Sequence, residues 1–101
     1  MPYAPLLDDG EIVAALAHLP AWRREDRSFV RDLRFPTFPE AIAFVDRIAE
    51  AAEAADHHPD IDIRWRRVRL VLTTHASGGL TARDVDMAER IDGIADEALT
   101  A

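Results

Sequence analysis

The chain has 101 residues, of which 49% are hydrophobic and 31% charged, with a formal net charge of -7 and no cysteine. That length and balance suit one folded domain around a single core rather than a disordered chain. Disulfides, thiolate catalysis and sulfur-ligated metals are excluded, the negative charge argues against wrapping nucleic acid, and no apolar run approaches the ~20 residues of a membrane helix. Met1 to Pro5 lacks the basic and apolar regions of a signal peptide, so the expected address is the cytoplasm.

Met1 to Leu7, with two prolines, reads as an extended lead-in. A first helix is expected from about Asp9 to Leu19, because Asp8 stands three residues before Glu11 as in a capping box and Ile12, Ala15, Leu16 and Leu19 recur at helical spacing. Pro20 stops it. Trp22 and the segment Ser28 to Phe35 read as two short strands, with Glu25-Asp26-Arg27 as the polar turn between them.

Pro36-Thr37-Phe38-Pro39-Glu40 opens a long helix, with Thr37 and Glu40 spaced as a capping box and Pro39 in the first turn, where a missing N–H costs little. From there to about Ala55 the apolar residues cover more than one stripe. The excess suggests a second buried face against a partner subunit, a reading preferred to the alternative that most of it is alanine, which costs little when exposed. Asp56-His57-His58-Pro59 ends this helix, since a residue before proline is pushed out of the α region. Ile61, Ile63 and Trp65, then Val68, Leu70 and Leu72, alternate with polar positions and give a hairpin with a tight turn near Arg66-Arg67. Thr74 to Gly79 is a loop. Thr81, three residues before Asp84, caps a last helix with a stripe of Val85, Ala88, Ile91, Ala95 and Ala98. The expected fold is α+β and two-layered: a four-stranded antiparallel sheet with three helices on one face, in the order α-β-β-α-β-β-α, forming a single domain over residues 1 to 101.

Three of the four histidines fall where a regular element ends: His57 and His58 after the long helix, and His75 after the last strand. An imidazole titrates near neutrality, so it can give and take a proton. In an antiparallel hairpin the end of the last strand returns beside the start of the preceding one, which would bring His75 back to the His-His-Pro segment. Glu53, Asp56 and Asp84 are placed to orient these rings, and Gly78 and Gly79 would let backbone approach a flat ligand. Read alone, a His-His pair before proline is more often a polar helix end favoured by the helix dipole. His18 reads as surface. A metal set is a further reading, disfavoured because neighbouring side chains on extended backbone diverge and no His-x-x-x-His spacing occurs. Trp22 and Trp65 read as core or as pocket walls.

The spacing of Glu53, His57, His58, Pro59, Trp65, His75 and Asp84, with the run Thr74-His75-x-x-Gly78-Gly79-Leu80-Thr81, resembles the pterin-4a-carbinolamine dehydratases, also called the dimerisation-cofactor family. The likeness extends upstream through Phe44, Ala41, Phe38, Phe35 and Trp22 to the first helix. A departure is Trp65-Arg66, where many members have tyrosine and asparagine.

The resemblance implies a hydro-lyase that dehydrates 4a-hydroxytetrahydropterin (4a-hydroxytetrahydrobiopterin), the product of aromatic amino acid hydroxylases, to quinonoid dihydropterin and water. It implies His57 and His75 as the acid-base pair and His58 as an assisting or binding group. Asp56, Thr74, Ala76 and Pro59 would lie along the pterin, Trp22 would wall the pocket, and Glu53 and Asp84 would support the rings. No metal or cofactor is implied, and homodimers or homotetramers are. The alternative on the same fold is a protein-binding role, as a transcription-factor dimer stabiliser or an assembly factor for a carbon-fixing enzyme.

Overall fold

The computed structural model describes residues 4–100; Met1, Pro2 and Tyr3 of the expected lead-in, and Ala101, lie outside the described residues. The elements run α1 (Asp9–Ala17), β1 (Arg23–Glu25), β2 (Ser28–Arg34), α2 (Phe38–Ala55), β3 (Asp60–Arg64), β4 (Arg67–Leu72), a single 3-10 turn (His75–Ser77) and α3 (Ala82–Thr100). The strands form one antiparallel sheet in the order β1-β2-β4-β3, as expected, with the helices on one face. Among the described residues no helix is long and apolar enough to cross a membrane.

Local chemistry explains most boundaries. Asp8 and Glu11 exchange both capping-box bonds, at 2.8 and 2.9 Å. α1 stops two residues before the expected Leu19, because His18 and Leu19 turn back onto Ala15 and Leu16 in tighter bonds ahead of Pro20. At α2 the Thr37 hydroxyl accepts from the Glu40 amide at 3.2 Å, the one half of the expected box that forms. α2 ends at Ala55, and proline is not the immediate cause. Asp56 enters the left-handed region (φ 51), His57 N–H bonds Ala52 C=O, and Asp56 N–H bonds Glu53 C=O, which is a Schellman arrangement.

The core lies between the sheet and the helices. Phe29, Leu33, Phe35, Val68, Leu70 and Leu72 point from the sheet onto Phe44, Ile48 and Ala52 of α2 and onto Met87, Ala88 and Ile91 of α3. Phe35 and Phe44 meet with ring centroids 4.9 Å apart. The apolar surplus of α2 is mainly alanine at Ala43, Ala49, Ala54 and Ala55, exposed in the single chain.

Two features of the sheet differ from expectation. The Arg64↔Arg67 pair closes the hairpin, so the turn is Trp65-Arg66. Trp65 therefore leaves the strand, takes φ 55 and is 86% exposed, rather than joining Ile61 and Ile63 on the inner face. Trp22 lies just outside β1, buried, with its indole N–H donating to Asp92 at 2.7 Å. Arg31, on the inner face of β2, also pairs with Asp92.

Candidate active site

The site forms where α2, β4 and α3 converge, and Asp84 is its hub. Asp84 occupies the first turn of α3, is fully buried (0% exposed), and reaches back to accept from the Thr81 amide at 2.9 Å. The same carboxylate oxygen accepts the Thr74 hydroxyl at 2.8 Å, and the other lies 2.6 Å from His57 Nε2.

The directions of these bonds follow from the donor inventory. Thr74 has one hydroxyl hydrogen and gives it to Asp84, so in the 2.8 Å contact between the two hydroxyls Thr81 donates to Thr74. Thr81 Oγ1 in turn accepts the Arg83 amide at 3.2 Å, completing a chain of donors that ends on the carboxylate. A carboxylate at Asp84 only accepts, so His57 Nε2 carries its hydrogen, and in the neutral ring Nδ1 keeps the lone pair. Among the described residues Arg31 Nε is the only buried side-chain nitrogen or oxygen without a partner, so Nδ1, which has no protein partner, is open to solvent. The ring is therefore fixed at one nitrogen and available at the other.

His58 diverges from its neighbour, as extended backbone requires. It is exposed, and its Nε2 lies 2.7 Å from Glu53 Oε1, one turn back on α2. Each member of the pair thus has its own carboxylate. His75 begins the 3-10 turn, exposed, with no side-chain hydrogen bond among the described residues. The β3–β4 register pairs Asp60 with Val71, so its continuation sets His57 and His58 opposite Thr74 and Thr73. The Thr74–Asp84–His57 bonds confirm that alignment, and all three histidines stand at the same end of the sheet. Among the described residues no three His, Asp or Glu converge as a metal-ligand set.

Other expected site residues divide. Pro59 is buried in the extended segment, Asp56 and Ala76 are exposed, and the Asp56 carbonyl accepts from Arg83 Nη2 at 2.6 Å. Thr74 is buried, and its hydroxyl is committed to Asp84. Its amide and carbonyl both close the loop onto Gly79. Gly78 supplies a left-handed φ of 77. Gly79 makes room for the protein rather than for a ligand: a Cβ there would sit 3.2 Å from Leu6 Cδ2. Trp22 is not brought to the cluster. Its partner Asp92 is eight residues beyond Asp84, about 12 Å along the helix.

His57 alone of the histidines lines a cleft of about 380 Å³, with Ala55, Arg83, Asp86, Met87 and Arg90. Sequence reasoning missed Arg83 and Arg90; the signal available was the position of Arg83 beside Asp84 in the first turn of α3, where its side chain can reach the end of α2. A larger hollow, of about 660 Å³, lies at the opposite end of the sheet, around the hairpin turn.

Comparison with known proteins identifies the chain's relatives. A family model described as pterin 4 alpha carbinolamine dehydratase matches residues 5–94. A chain from Nocardia farcinica (strain IFM 10152) is 56% identical over 90 residues, covering 89% of this chain and 95% of its own. One from Roseiflexus castenholzii (strain DSM 13941 / HLO8) is 53% identical over 91 residues, covering 90% and 98%. Both are provisionally named pterin-4-alpha-carbinolamine dehydratase. The crystal structure of a transcriptional coactivator/pterin dehydratase from Brucella melitensis superposes with a TM-score of 0.86 at 33% identity, covering 89% of this chain and 98% of that one. A pterin dehydratase-like protein identified as a RuBisCO assembly factor in the alpha-carboxysome shares the fold, with a TM-score of 0.63 at 23% identity over 74% of this chain and 89% of that one. With the family model spanning nearly the whole chain and relatives this similar over nearly their full lengths, the protein belongs to the pterin-4a-carbinolamine dehydratase family.

Proposed function

We propose that this protein dehydrates a 4a-hydroxytetrahydropterin, such as 4a-hydroxytetrahydrobiopterin, to the quinonoid dihydropterin and water, returning pterin for reuse by a hydroxylase in the cytoplasm. The observation that carries the reading is the His57–Asp84 pair, a ring held by a buried carboxylate with its second nitrogen open. One imidazole of the His57 and His75 pair protonates the 4a-hydroxyl, and the C4a–O bond breaks as water leaves. The N5 lone pair closes the C4a=N5 bond, and the other imidazole takes the N5 proton. One proton enters and one leaves with no change of oxidation state, so no co-reactant is required. His58, steadied by Glu53, assists or binds, and Pro59, Ala76 and the backbone of Asp56 border the pterin. Thr74 acts through Asp84 rather than on the substrate.

His75→Ala should lower the dehydration rate by about 100-fold or more while leaving the melting temperature unchanged, because the ring is exposed and unbonded. A wild-type protein that gives no acceleration over the spontaneous reaction would overturn the enzymatic reading in favour of a protein-binding role.

The protein acts as a homodimer along the β3 edge. β3 is exposed throughout, and Ile61 and Ile63, on the helix-covered face, remain 36% and 37% exposed. Antiparallel pairing of two β3 strands about Asp62 would set Ile61 of one copy against Ile63 of the other and remove an open edge. Light scattering should show a dimer for wild type and a monomer for Ile63→Lys; a monomeric wild type would refute it.

A further inference from the structure

Four arginines and a tryptophan at the β3–β4 hairpin have no role in the core or in the candidate active site. Arg34 pairs with Arg67 and Arg67 with Arg64, so these three occupy one row of the open sheet face. With strands about 4.8 Å apart, the backbones that carry these three like charges lie within about 10 Å. Like charges directly opposite one another destabilise a ladder. Arg34 and Arg67 have no side-chain hydrogen bond or ion pair among the described residues, Arg66 reaches the Pro36 carbonyl at only 3.5 Å, and Arg64 stands 3.4 Å from Asp62. In a chain with net charge -7 this is no shortage of carboxylates. The next row shows the contrast, because Asp32, Arg69 and Asp62 alternate in sign.

Trp65 adds an independent observation. It occupies a two-residue turn at φ 55, where glycine or asparagine fits and a bulky side chain is an outlier. It gains no burial in return. With Ile63 and the four arginines it lines the hollow of about 660 Å³. A strained, exposed aromatic beside unpaired cations is arranged for something outside the chain.

We propose that this hairpin end of the open sheet face docks an acidic segment of another protein, its carboxylates on Arg34, Arg64 and Arg67 and an apolar side chain against Trp65. A guanidinium fork matches a carboxylate with two parallel hydrogen bonds, and an indole gives a rigid apolar surface. A nucleic acid is the weaker fit. The basic strip is one row wide, the acidic Asp32 and Asp62 stand beside it, and the net charge repels a polyanion that runs on across the body. Pairing along the β3 edge about Asp62 would engage Ile63 and set Arg64 opposite Asp60 of the second copy, and would leave Arg34, Arg67 and Trp65 uncovered.

The test titrates the full-length protein into a fluorescein-labelled peptide of about twelve residues, with about six glutamates around a central leucine pair, read by anisotropy at low salt. Its glutamine counterpart and a single-stranded oligonucleotide of similar charge are run beside it. The glutamate peptide should saturate below about 1 mM and bind about tenfold more tightly than either control. Arg67→Ser should weaken it about tenfold. Trp65→Gly should weaken it while raising the melting temperature by about 5 °C, since it relieves the left-handed tryptophan. Both variants should keep the dehydration rate of wild type. No saturation by about 1 mM, a glutamine peptide as tight, an oligonucleotide tighter, or Arg67→Ser within about twofold of wild type would each overturn the proposal.

Discussion

Replacing Asp84 with asparagine changes one atom of the hub and leaves its shape intact. The carboxylate accepts three hydrogens, from Thr74 and Thr81 on one oxygen and from His57 on the other. An amide accepts only at its oxygen. Keeping that oxygen toward the two threonines preserves the helix cap and turns the NH2 toward His57. The ring must then accept at Nε2, which moves its hydrogen to Nδ1. The second N–H of the amide faces no acceptor in this fully buried position, so the unmet donor adds to the lost charge assistance. A bond to a charged group contributes about 1 kcal/mol more than a neutral one, and the saved desolvation of a buried charge offsets part of the sum. The net loss is about 2 to 4 kcal/mol, which lowers the melting temperature of a chain this size by roughly 10 to 30 °C. Activity should fall further than stability, by about 100-fold, because the open nitrogen has lost its lone pair. The assay is the dehydration rate of the folded variant, paired with nitrogen NMR of the His57 ring. A rate within about threefold of wild type, or a ring that keeps its hydrogen on Nε2, would refute the reasoning and leave Asp84 as a helix cap.

Asp56→Gly should stabilise the protein by about 0.5 kcal/mol, the left-handed strain relieved less the entropy that glycine adds to the unfolded chain. It should leave the dehydration rate unchanged, because Arg83 holds the carbonyl of Asp56 and not its carboxylate; a tenfold loss, on the order of a lost charged contact, would assign the side chain to the substrate. The Asp32 carboxyl is held below the usual carboxylate range chiefly by its hydrogen bond from Arg69, then by that from Arg23, with burial opposing. Its folded pKa is depressed, so its contribution is complete above the unfolded value and fades as pH falls below about 4. Chemical denaturation of Asp32→Asn should therefore show a deficit against wild type near neutrality that closes in acid; a deficit that persists at low pH would contradict the assignment.

The chain order of elements was legible because caps and alternation are local. Asp8 with Glu11, Thr37 and Thr81 each lie within one turn of what they satisfy. The convergence of His57 and Thr74 was legible too, since it follows from antiparallel return. What sequence could not supply was how an aromatic side chain chooses among environments. Trp22 found a hydrogen bond partner seventy residues away, in Asp92, and turned inward, while Trp65 was displaced outward by a turn one residue earlier than alternation suggested. Nor could spacing divide the carboxylates between the rings. Glu53 to His58 and Asp84 to His57 depend on which way each ring leaves an extended backbone.

Asp84 closes the first turn of α3 and orients His57 with the same side chain, so the beginning of that helix and the placement of the ring share one equilibrium. Any opening of that turn releases the imidazole, and anything that engages the imidazole resists the opening. Hydrogen exchange at the Thr81 amide thereby becomes a counter of molecules in which the ring is held, and a pterin analogue that engages the ring should slow that exchange in step with its occupancy.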